Sequence, residues 1–215
     1  MKDFRGAILA IDTATDLPGV ALHHGGSTFM RPIGWRASFR ETAPAARALL
    51  GEAGLAIGDL AVVAVPAGPG SFTGLRVGAT FAVALARAAE IALHAVPTLE
   101  AVAEAYALPG TDRVCAVLDA RRGRWYAALV DQDGAGWRTT AGPFDLAPEE
   151  VKRFAGEAPR VGLSAREAGP TARERPEPAP IAAAVARLVA LDMERYAVVS
   201  PGALRLVYTR PATQA

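Results

Sequence analysis

The run Ala67-Gly68-Pro69-Gly70-Ser71-Phe72-Thr73-Gly74-Leu75-Arg76-Val77-Gly78 decides how the rest of this chain is read. It follows an apolar stretch, Leu60 to Val65, that reads as a buried strand. It leads into Ala79 to Ala88, which holds neither Gly nor Pro and reads as a helix. A strand, a glycine-rich turn and a helix N-terminus leave backbone N–H groups aimed outward, an arrangement suited to phosphate. The same run strips one helix face, because Gly74, Gly78, Ala82 and Ala86 recur every four residues and form a ridge with almost no side chain. Such a ridge lets another helix approach closely, and the spacing alone leaves open whether that helix belongs to this chain or to a partner.

The run is not a Walker motif, since no Lys-Ser/Thr pair follows its last glycine, and Thr73 breaks the Gly-x-Gly-x-x-Gly spacing of dinucleotide sites. A phosphate site would therefore rest on the N-terminal N–H groups with the Ser71 and Thr73 hydroxyls. The alternative is a tight turn capped by one of those hydroxyls.

The 215 residues suffice for one large domain or two small lobes, and 51% hydrophobic content supports a substantial core. With 23 basic and 22 acidic residues the net charge is +1, so no global field favours nucleic acid or an anionic membrane. A role on nucleic acid would then run through a partner. Cys115 is the only cysteine and sits in the apolar run Val114 to Leu118, as a buried inert thiol would. That usage fits a reducing cytoplasm. The start of the chain reads as neither a signal peptide nor a membrane span, because Asp12 interrupts the first apolar stretch.

Ala7 to Ile11, Val20 to Leu22 and Ser27 to Met30 predict an antiparallel meander, and Glu41 to Ala53 predicts a helix closed by Gly54. Thr98 is placed to cap a short helix after Pro97. From Arg113 the layout restarts: Leu9-Ala10-Ile11-Asp12, a turn and Val20-Ala21-Leu22 are matched by Val117-Leu118-Asp119, a turn and Ala127-Ala128-Leu129. Pro148 opens a helix to about Ala155, Arg160 to Leu163 reads as a strand, and Ile181 to Met193 as an Ala-rich helix. Glu167 to Pro180, rich in Pro, Glu and Arg, reads as a loop. The boundary between lobes is placed at Pro109-Gly110, giving units 1–109 and 110–215.

Several residue groups could carry chemistry. Asp12 with Thr13, at a strand end, could position a metal-bound water beside phosphate or simply form an Asx turn. Asp119 and Arg121 sit in a hairpin with Arg122 and Arg124, where guanidiniums could hold phosphate or a carboxylate. Asp12 and Asp119 could face one cleft. The three histidines, His23, His24 and His94, form no His-x-x-x-His pair, and neither a Gly-x-Ser-x-Gly elbow nor a supported Cys/His pair is present. No metal ligands are assigned.

Together, Ile8 to Thr15, Gly68 to Gly78, Pro97 to Ala101 and Asp119 to Gly123 closely resemble the bacterial TsaB (YeaZ) family. The tail Leu206-Val207-Tyr208-Thr209-Arg210 resembles the family's terminal Pro-x-Tyr-x-Arg, with Leu206 in place of the Pro. The resemblance implies an α/β fold of two ribonuclease-H-like lobes, of the actin/Hsp70/sugar-kinase superfamily. It also implies a cytoplasmic, non-catalytic role in making threonylcarbamoyladenosine in tRNA, supporting the transferase TsaD, with the ATPase TsaE joining them. Partner contacts, or pairing of two copies, are then expected on first-lobe helices, carried over here to Leu49, Leu50, Ala53, Gly74, Gly78 and Ala82. The tRNA would be met only through the complex. The isolated chain would need no cofactor, with ATP or ADP at a cleft or a partner interface near Asp12, Thr13, Ser71, Thr73, Asp119 and Arg121. The rival expectations are an ATP-dependent phosphotransferase or ATPase built on Asp12 and Asp119, and a glycopeptidase.

Overall fold

A computed structural model describes residues 6–162 and 180–209. The first lobe begins with strands β1 (Ala7–Asp12), β2 (Gly19–His24) and β3 (Ser27–Pro32), followed by helix α1 (Ser38–Glu52), strand β4 (Leu60–Pro66), helix α2 (Phe72–Ala88), strand β5 (Ala92–Val96) and helix α3 (Thr98–Tyr106). The second has β6 (Arg113–Asp119), β7 (Trp125–Gln132), β8 (Trp137–Leu146), α4 (Pro148–Ala155) and β9 (Arg160–Val161). Helices α5 (Ile181–Leu191) and α6 (Met193–Tyr196) and strand β10 (Ala197–Val198) follow.

The strands form a six-stranded sheet, β10-β5-β4-β1-β2-β3, and a four-stranded sheet, β8-β7-β6-β9. In each, a meander precedes a parallel strand: β1, β2 and β3 pair antiparallel and β4 joins β1 in parallel. Likewise β6, β7 and β8 pair antiparallel and β9 joins β6 in parallel. The repeat expected from the sequence is thus present as shared topology.

Alternation along β1 assigns the two faces of the first sheet. Ile8 and Ala10 join a core with α3, α5 and the inner face of the second sheet, whereas Ala7, Leu9 and Ile11 join a core with α1 and α2. Helix α5 lies between the sheets, which explains a segment apolar on all sides: Ile181 to Ala186, Leu188 and Val189 are all buried. On the outer face of the second sheet, α4 covers Cys115, Val117, Trp125 and Ala127.

Helix α5 lies on β1, β2 and β4, and β10 pairs with β5, so the later part of the chain returns to the first sheet. Two expectations are corrected. Thr98 does not cap its helix, whose N-cap is Pro97. Its hydroxyl instead accepts from Gly68 N at 3.0 Å, while Thr98 N donates to Gly68 O. Helix α2 begins at Phe72, inside the glycine-rich run. Most of the Glu167–Pro180 loop, Leu163 and Arg210 lie outside the described residues.

Candidate functional site

The end of β1 and the start of α2 meet at the glycine-rich run. Ser71 N donates to Ala14 O at 2.8 Å, and Gly74 N donates to Ser71 Oγ, which caps the helix. Thr13 Oγ1 donates to Gly74 O at 2.6 Å. A Cβ at Gly74 would overlap Thr13 O and come within 2.8 Å of Thr13 C, and one at Gly70 would lie 2.9 Å from Ala14 O. Thus two of the turn's N–H groups, those of Ser71 and Gly74, are used within the chain, by Ala14 O and Ser71 Oγ.

The same contact corrects the assignment of the small-residue ridge to a helix pair between chains. Gly74, Gly78, Ala82 and Ala86 are buried within the chain, and a Cβ at Gly78 would stand 2.7 Å from Thr13 Oγ1. Leu49 and Leu50 are core residues against the sheet, and Ala53 is half-buried. Periodicity revealed a stripped face without saying what lay on it.

Asp12 is fully buried. Its Oδ1 accepts from Ala14 N at 2.8 Å and Thr15 N at 3.3 Å, and its Oδ2 accepts from the Thr15 hydroxyl. Burial pushes its pKa up from 3.8 to about 6, against the opposing pull of the Thr15 and Ala14 hydrogen bonds. This is the Asx-turn reading.

Asp119 lies elsewhere. It accepts from Arg121 N at 2.7 Å and from Arg121 Nη1 at 2.9 Å, and Arg121 Nη2 reaches across to Asp16. The carboxylate opposite Asp119 is therefore Asp16, which the sequence reading passed over. A cleft of about 370 Å³ lies between Ser71 to Thr73 on one side and Asp119 to Arg122 on the other. Trp35, Tyr126 and Tyr208 also line it, whereas Asp12 and Thr13 do not. The tail crosses the glycine-rich turn: Val207 N donates to Ala67 O at 2.7 Å, and Tyr208 stacks on Phe72 at 5.2 Å. Gly68, at φ +107°, leaves no room there for a Cβ beside Val207 O.

A second concavity, about 760 Å³, opens on the outside of the first lobe between α1 and α2. Its walls include Ala43, Pro44, Arg47, Ile57, Phe81 and Leu85. All but Ile57 lie on the two helices singled out for pairing, and of the residues carried over to the interface Leu50 also lines the groove. Exposed Ala43, Pro44 and Arg47 along α1 were the available signal.

The model of the family described as TsaD: tRNA N6-adenosine threonylcarbamoyltransferase matches residues 34–168. The tRNA threonylcarbamoyladenosine biosynthesis protein TsaB of Escherichia coli is 36% identical over 162 residues, covering 72% of this chain and 70% of that protein. The chain belongs to the TsaB family. The Bacillus subtilis TsaB is 36% identical over 124 residues, 57% of this chain and 54% of its own length. YeaZ from Pseudomonas aeruginosa superposes with a TM-score of 0.80 at 29% identity, covering 94% of this chain and 99% of that one. That likeness and the repeated sheet topology establish the two-lobed actin-like architecture for this TsaB-family chain. Among its described residues no helix is long and apolar enough to cross a membrane, and no group of three His, Cys, Asp or Glu side chains could hold a metal ion.

Proposed function

We propose that this chain serves tRNA threonylcarbamoyladenosine biosynthesis as a non-catalytic scaffold subunit. It pairs with the transferase TsaD through the outer faces of α1 and α2, TsaE joins the pair, and the same faces join two copies when the chain is alone. The observation that carries the reading is the apolar groove between these helices, with Ile57 49% exposed at its edge. An exposed apolar concavity flanked by two helices suits another chain's helices better than water. Ser71 N, Gly74 N and the Asp12 carboxylate already have partners within the chain, which supports a subunit needing no cofactor of its own. The reading places ATP or ADP at the Arg121 rim of the cleft or at the partner interface.

Size exclusion of the chain mixed with TsaD at micromolar concentration tests the proposal. Co-elution is expected, and Ala43→Glu with Arg47→Glu, both exposed on the groove wall, should separate the partners while leaving the melting temperature of the lone chain within a few degrees. Separate elution of the unmodified proteins would overturn the pairing. ATP hydrolysis by the lone chain, lost in Asp12→Asn, would favour the phosphotransferase reading instead.

A further inference from the structure

From Leu17 to Arg40 the sequence contains no acidic residue, and this stretch ends in Trp35-Arg36-Ala37-Ser38-Phe39-Arg40. The structure turns that ending into an outward-facing cluster. Trp35 is 53% exposed and Phe39 84% exposed, and Arg36 and Arg40 are exposed beside them. Ser38 Oγ donates to Trp35 O and Gly34 O, and Gly34 N donates to Glu41 Oε2, so the bend before α1 is held in place. The Arg121 guanidinium lies 5.9 Å from the centre of the Trp35 ring, joining this cluster to the rim of the cleft.

Charge and shape point to one kind of partner. The side chains of Arg36 and Arg40 form no ion pair among the described residues. The nearest acids in sequence are engaged: Glu41 by Gly34 N, and Glu52 by Arg31. Two exposed aromatic rings beside two arginines without acidic partners match the chemistry that binds single-stranded nucleic acid, in which rings stack on bases and guanidiniums meet phosphates. The groove between α1 and α2 is walled chiefly by aliphatic side chains, whereas this cluster sets its two rings beside two exposed guanidiniums. Paired RNA would hide its base faces, so the fit is to an unpaired loop. With a net charge of +1 the chain lacks the field to hold RNA tightly alone, and such a contact would add to those of a complex.

We infer that Trp35, Arg36, Phe39 and Arg40, flanked by Arg121, form a contact surface for an unpaired RNA loop. This rests on the role in tRNA modification proposed above. The probe is a fluorescent anticodon stem–loop RNA titrated with the chain assembled with TsaD, read by anisotropy across a salt series. Arg36→Ala with Arg40→Ala should weaken binding about tenfold and make the salt dependence shallower by about 1.4 in log–log slope, the value for two phosphate contacts to a single strand. Trp35→Ala with Phe39→Ala should weaken it about tenfold or more with the slope unchanged. Both variants should still co-elute with TsaD. Unchanged RNA affinity in both would overturn the inference, and lost co-elution with TsaD would make the cluster a protein contact. If the unmodified chain does not pair with TsaD, the proposed function fails on its own terms. Ultraviolet crosslinking of the lone chain to the same RNA at low salt then decides the surface: attachment at residues 35–40 supports it, and attachment elsewhere or none overturns it.

Discussion

Gly74→Ala separates a ridge used inside the chain from one held for a partner. In an ordinary exposed helix this change would stabilise by about 1 kcal/mol. Here the added methyl would overlap Thr13 O and press within 3.0 Å of Ala14 Cα, both backbone atoms that cannot turn aside. Either α2 moves away from the end of β1, or β1 is pushed out of register with β4. Overpacking of this kind costs about 1–3 kcal/mol. Separation also breaks the buried Thr13 Oγ1 to Gly74 O hydrogen bond and leaves its donor unpaired, a further loss of about 1–3 kcal/mol. After the helix-propensity gain the net effect is about 1–5 kcal/mol of destabilisation, or about 2–20 °C in melting temperature for a chain of this size. Gly51→Ala is the control: it lies in α1 with nothing within 4 Å of a new Cβ, and should stabilise by about 0.5 kcal/mol. Thermal and urea melts of the lone chain measure both. A Gly74→Ala chain that melts with the wild type yet no longer pairs with TsaD would refute the reasoning and return the ridge to the interface.

Three other perturbations follow from buried groups. Asp12 has its pKa raised from 3.8 to about 6, so the folded chain holds its proton more tightly than the unfolded one. The stability this contributes is fully present below pH 3.8 and lost as pH rises through about 6, a span of about 3 kcal/mol. Asp12→Asn should flatten that part of the urea stability–pH curve, and an unchanged slope would remove Asp12 as its source. Buried Glu100 accepts from Arg195 Nη2 at 2.8 Å, Thr139 N at 2.9 Å and the Tyr196 hydroxyl at 3.2 Å, linking α3 to β8 and α6. Glu100→Ala should cost about 3–5 kcal/mol in urea melts by leaving Arg195 without its carboxylate, and a loss below about 1 kcal/mol would show the link is dispensable. The Cys115 thiol is buried and pushed up to about 12, chiefly by desolvation, so native-state alkylation should proceed no faster than unfolding. Rapid labelling of the folded chain would show that its strand opens locally.

The sequence carried the fold where a single periodicity ruled. The meander and β4 were legible because their apolar runs end at turn residues, and the second lobe because it repeats the order of the first. Strand β5 was not, since Ala92 to Val96 is short and carries His94, a buried histidine whose Nε2 donates to the distant Met193 O. The four-residue spacing of Gly74, Gly78, Ala82 and Ala86 had already placed both glycines on a helix, and the structure starts it at Phe72 with Ser71 as its cap. At the site, local spacing found the Asp12 turn and the Asp119–Arg121 hairpin. It paired the wrong carboxylates because Asp16, not Asp12, faces the cleft. The cluster at Trp35 and Phe39 did leave a signal, the absence of any acidic residue from Leu17 to Arg40. Only the exposure of both rings gives that absence a use.

The two uses of α2 depend on each other. Its inner face is sealed to the end of β1 by Thr13 and to the glycine-rich turn by Ser71. A shared core of α3 and α5 between the sheets, with Arg121 bridging Asp16 and Asp119 across the cleft, holds the lobes together. A nucleotide-driven enzyme of this architecture benefits from a cleft that opens and closes around its ligand. A pairing subunit benefits from the opposite, because a surface already in its bound shape loses less entropy on association. The contacts that use Ser71 N and Gly74 N within the chain also fix α2 against the end of β1, and with it the outer face on which the proposed pairing rests.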